Sequence, residues 1–85
     1  MQVWKFGIGV SGEQRVQMPK GAKLLTVQLQ NGAPMLWALC DGSAPMVARK
    51  VWAYGTGEAM VRPWPFVATL QIGHAVIHYF DLGES

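Results

Sequence analysis

An Asn31-Gly32 pair set between two apolar runs constrains this chain more than any other feature of its sequence. Both central positions of a two-residue type I′ turn need positive φ, which Asn and Gly adopt at least cost. The pair therefore predicts a tight hairpin joining residues 23–30 (KLLTVQLQ) to residues 34–41 (PMLWALCD). Period-two alternation expects Leu25, Val27 and Leu29 to face inward and Thr26, Gln28 and Gln30 outward. The second run is apolar almost throughout, which predicts burial on both faces.

The remaining segments read the same way. Residues 2–8 alternate, with Trp4, Phe6 and Ile8 on one face and Val3 and Lys5 on the other. Residues 14–18 form a short polar strand that Pro19-Lys20-Gly21 ends. In residues 46–54, Val47, Arg49, Val51 and Ala53 share one face of a strand, and Ala48, Lys50, Trp52 and Tyr54 the other. Gly55-Thr56-Gly57 stops it, and residues 58–65, with two prolines, read as a loop. Residues 66–72 and 75–80 pair around Gly73-His74, and residues 82–85 are expected to fray. Seven short strands without a helical period predict an all-β fold, a small antiparallel barrel or sandwich, as one domain over residues 1–85.

Composition turns this fold toward partners. Of 85 residues, 51% are hydrophobic and 14% charged, where ordinary domains carry about 25% charged. A domain this small cannot hide so much apolar surface alone, so a homo-oligomer or another partner surface is expected. The single cysteine, Cys40, makes no intrachain disulfide and reads as a small core residue in a reducing compartment. Met1 leads straight into a strand without a signal-peptide pattern, and the uncharged stretch 63–80 is broken by two prolines and two histidines. Both point to the cytoplasm and away from a membrane span. A net charge of +2 from scattered basic residues excludes a duplex nucleic-acid groove but leaves room for a local anion site.

Chemistry is poorly represented. Glu13, Asp41, Glu58, Asp81 and Glu84 are dispersed, with no spacing that pairs two carboxyls for acid–base work. His74 and His78 on a strand would stand about 13 Å apart, too far to share a metal. No catalytic residue, metal or cofactor is expected. Binding fares better. Gly55-Thr56-Gly57 allows close backbone approach to an anion. Arg49, Lys50 and Arg62 supply cations for phosphate, and Trp52, Tyr54 and Trp64, with Phe66 nearby, supply rings on which bases stack. Against this stands the plainer reading, in which GTG is a common turn and strand aromatics are core.

Lys20–Gln30 (KGAKLLTVQLQ), Asn31-Gly32, Leu36-Trp37-Ala38-Leu39, Gly55-Thr56-Gly57 and Val76–Asp81 (VIHYFD) together resemble a family of short phage and prophage proteins built on a domain of unknown function. Its pattern includes LWALVD, then GTGH, YIGTFQ and VWHVFE, and the likeness spans nearly the whole chain. Cys40 stands where the family commonly has valine, Glu58 where it often has histidine, and FVATLQ replaces YIGTFQ. The resemblance implies phage origin, a host-cytoplasmic setting and an accessory role. Small phage proteins of this kind include oligomeric sponges for cyclic-nucleotide immune signals, an anti-defence function. The leading expectation is thus sequestration of a small anionic nucleotide without turnover. The alternative is a virion-associated or host-protein-binding module with no small-molecule ligand.

Overall fold

The computed structural model describes residues 1–84 and contains seven antiparallel strands in two sheets. They are β1 (Gln2–Gly7), β2 (Gly12–Pro19), β3 (Lys23–Gln30), β4 (Ala33–Cys40), β5 (Met46–Gly55), β6 (Phe66–Ile72) and β7 (Ala75–Glu84). One sheet has the order β1-β4-β3 and the other β2-β5-β7-β6. The arrangement is a sandwich, and no barrel closes.

The Asn31-Gly32 turn forms as the sequence predicts, with φ of 51° and 81° and Gln30 paired to Ala33. Gly73, at φ 58°, opens the second two-residue turn, the place a type II′ turn reserves for glycine. The apolar run of β4 occupies the centre of its sheet. Leu36, Ala38 and Cys40 are fully buried between the sheets, where Cys40 is a core thiol whose pKa burial pushes up. Val27, Met18, Val51, Ala53, Leu70, Ile77 and Tyr79 complete that core, and the Tyr79 hydroxyl donates to the Gly9 carbonyl at 2.8 Å.

Two expectations are corrected. In β3 only Val27 is fully buried: Leu25 is 41% exposed, and Leu29, which register keeps on the Val27 face, is 39% exposed beside the hairpin turn. A bulge between Leu24 and Thr26 breaks the alternation and turns Leu24 toward the core instead. The C-terminal residues do not fray as far as Glu84. β7 continues to that residue, pairing Lys50 with Gly83 and Arg49 with Glu84 after a second bulge. Ser85 lies outside the described residues.

Candidate ligand-binding face

Cross-strand register arranges the outward side chains of the four-stranded sheet in rows. Val51, Ala53, Tyr79, Ala68 and Leu70 point into the core, so their neighbours along each strand point away from it. One row runs Arg15–Lys50, across β2 and β5. Two residues on, Glu13, Trp52, Phe80 and Phe66 stand side by side across all four strands. The next row is Tyr54–His78–Thr69. Successive rows are about 7 Å apart, twice the rise of a strand residue.

The rings form a connected series. Trp52 stacks on Tyr54 with centroids 5.4 Å apart, Tyr54 meets Phe80 edge-on at 5.7 Å, and Phe80 meets Phe66 edge-on at 5.6 Å. Tyr54 is nearly covered at 5% exposure, whereas Phe66 is 61% exposed at the rim. His78 is held at both ring nitrogens, Nε2 with the Thr56 hydroxyl at 2.8 Å and Nδ1 with the Thr69 hydroxyl at 3.0 Å. It is thus a hydrogen-bonded sheet residue, as its sequence context predicts, and it ties the turn after β5 to β6.

The residues singled out from sequence divide into three groups. Lys50, Trp52 and Tyr54 share the outward face, and Thr56 reaches it through His78. Arg62 and Trp64 form a pair of their own in the loop between β5 and β6, the guanidinium carbon 4.1 Å from the ring centroid. Arg49 goes elsewhere. Its side chain is only 12% exposed, with Nε and one terminal nitrogen bonded to the two Asp81 carboxylate oxygens at 2.9 and 2.7 Å. The other terminal nitrogen donates to the Ala22 carbonyl at 2.6 Å, with Glu84 nearby at 3.9 Å. The Arg49 donors that the sequence offers to a phosphate are thus engaged within the chain, by Asp81 and the Ala22 carbonyl. Burial alone would raise the Asp81 carboxyl, but the Arg49 and Gly83 hydrogen bonds and the Arg49 charge together hold it below its ordinary range.

The glycine turn is also engaged. The Gly55 N–H donates to the Glu58 carboxylate at 2.8 Å, and the Glu58 N–H returns a bond to the Gly55 carbonyl. The Gly55 N–H is therefore already occupied by a carboxylate of the chain itself. Gly57 has a φ of 92°, a conformation that glycine meets without strain.

Sequence reasoning missed Arg15, Phe80 and His78 as members of this face. The β2–β5 register that sets Arg15 beside Lys50 is non-local, and a bulge between Phe66 and Ala68 sets Phe66 opposite Phe80. Counting back from the Gly73-His74 turn would have matched Phe80 with Val67. Among the described residues no enclosed cavity opens, and no group of three His, Cys, Asp or Glu side chains is placed to hold a metal.

A family model, Domain of unknown function (DUF7352), matches residues 1–85. The chain belongs to the DUF7352 family. No curated protein and no solved structure matches it. The family membership agrees with the resemblance to a domain of unknown function, and the reading of function rests on the face just described.

Proposed function

We propose that this DUF7352 protein is a phage accessory protein that sequesters a small nucleotide immune signal in the host cytoplasm, without turning it over. The observation that carries this is the order of the rows: a cationic pair, Arg15–Lys50, then the ring row Trp52–Phe80–Phe66 with Glu13 at its β2 end, 3.8 Å from Arg15, then the polar row of His78 and Thr69. A nucleotide has the same sequence of chemistry, anionic phosphate, flat base face and polar base edge, over a comparable reach. Lys50 and Arg15 take the phosphate, Trp52 and Phe80 the base, and Thr56 or Thr69 its edge. Arg62 and Trp64 form a second cation–ring unit on the loop.

Magnitudes argue for two copies. One stacked base contributes about 1 to 3 kcal/mol and each charge-assisted phosphate contact about 1.5 to 3. A single face thus gathers about 4 to 9 kcal/mol before ordering costs, which corresponds to micromolar binding at best. Capture near 100 nM needs about 10 kcal/mol. Two faces closing on one ligand reach that value, and they supply the concavity that a single chain lacks.

Thermal-shift screening against mononucleotides and cyclic dinucleotides tests the proposal. A stabilisation of several degrees by one ligand, with that ligand recovered intact, supports sequestration. Its recovery as a degraded product would make the protein an enzyme instead. The openness of the same face favours a second reading, a virion-associated or host-protein-binding module in which Trp52, Phe66 and Phe80 are anchors. A face silent to every nucleotide, yet required for capture of a protein partner, would establish that reading.

A further inference from the structure

The opposite side of the sandwich carries a second patterned surface. Strands β1, β3 and β4 contain no Asp or Glu, and their only charges are Lys5 and Lys23. Register sets three outward rows there: Val3–Leu39–Lys23, Lys5–Trp37–Thr26 and Gly7–Met35–Gln28. Leu39, Trp37 and Met35 make an apolar stripe down the central strand, about 13 Å long at strand rise. Val3 widens it and is 57% exposed. A lysine stands on either side of the stripe. The Lys5 ammonium donates to the Gln30 side-chain oxygen of β3 at 2.7 Å, which fixes that cation on the face. On β3, the Gln28 amide donates to the Thr26 hydroxyl at 3.1 Å, so part of the polar border is satisfied within the chain.

We propose that this face docks an acidic, aliphatic segment of a partner protein, leucine- or valine-type side chains on the Leu39–Trp37–Met35 stripe and carboxylates against Lys5 and Lys23. Charge selects this occupant. The two sheet faces of a second copy fit less well: the outward acid on its four-stranded sheet, Glu13, sits beside Arg15, with Lys50 opposite that arginine, and its three-stranded sheet repeats the same two cations without an acid. A nucleic-acid strand needs a track of cations with rings for its bases, and this stripe has one ring among aliphatic side chains. Two lysines alone attract an anionic bilayer too weakly to hold a protein there. The proposal does not depend on the nucleotide reading, because the two faces lie on opposite sides of the sandwich.

The test is fluorescence anisotropy of a labelled peptide in which leucine and glutamate alternate, titrated with the full chain. A peptide with lysine in place of glutamate and vesicles of phosphatidylglycerol serve as comparisons. Expected are saturable binding of the acidic peptide only, weakening with salt, and a loss of roughly tenfold or more in Lys5→Glu/Lys23→Glu. Both lysines are exposed, so the double variant keeps the fold, which its melting temperature checks. Trp37→Ala should also weaken binding, and Lys50→Ala should leave it unchanged. No binding of the acidic peptide, binding indifferent to the lysine reversals, or preference for the vesicles would each overturn the proposal.

Discussion

Arg49 shows how a residue with the right chemistry is taken up by the fold. Its guanidinium forks onto Asp81 and reaches the Ala22 carbonyl, so truncation leaves a mostly buried carboxylate without its partner. Arg49→Ala should lower unfolding free energy by about 2 to 3 kcal/mol in urea titration. Lys50→Ala, on the outward face and without a side-chain hydrogen bond or ion pair among the described residues, should change stability by less than about 0.5 kcal/mol. Asp81 gives the pair a pH signature. Its folded pKa is depressed, so the stability it contributes is present above the unfolded value of about 4 and is lost as pH falls through the folded value. Melting temperatures should drop on acidification below about pH 4, and Asp81→Asn, already less stable at neutral pH, should drop less steeply. On the proposed nucleotide face, Trp52→Ala removes one stacking surface and should weaken nucleotide binding by roughly 10- to 100-fold in a calorimetric titration. A protein-docking role would leave nucleotides without effect on either form.

At the scale of elements, turn chemistry explains which parts of the fold are legible in sequence. Asn31-Gly32 and Gly73-His74 each specify a two-residue hairpin, and the strands they join lie within a residue of their expected starts and stops, except for the C-terminal extension of β7. Gly32→Ala forces a Cβ into the left-handed region, although it meets no atom within 4 Å, and should cost about 1 to 2 kcal/mol, read from denaturant midpoints. The three bulges are where the reading failed. Each inserts one residue at a point fixed by pairing with a distant strand, so no local pattern announces it. The bulge in β3 moved Leu25 outward, the bulge in β7 extended that strand to Glu84, and the bulge in β6 set Phe66 against Phe80. The candidate site was legible in part for the same reason. Period two alone put Lys50, Trp52 and Tyr54 on one face and Arg49 on the other, whereas Arg15 and Phe80 join them only through register. The internal partners of Arg49 and of the Gly55 N–H, Asp81 and Glu58, were beyond sequence reasoning.

The whole molecule is a thin sandwich, 15 Å across its shortest Cα extent, with aromatic or aliphatic side chains on both outer surfaces as well as between the sheets. That is the structural counterpart of a chain rich in apolar residues and poor in charge. β4 and β5 are interior strands of their sheets, and each presents apolar side chains on both faces. The core that 85 residues can build leaves these outer rows outside it, with Val3 and Phe66 more than half exposed at their rims, which supports binding at both surfaces. Amide and side-chain NMR shift mapping during titration with the best ligand of the nucleotide panel is the decisive check on nucleotide binding at the four-stranded sheet. Changes should cluster at Arg15, Lys50, Trp52, Phe66, His78 and Phe80, with Trp37 and Leu39 on the opposite sheet unmoved. Shifts centred on Arg49 and Asp81 or on the three-stranded sheet, or a spectrum unchanged at saturating nucleotide, would contradict it.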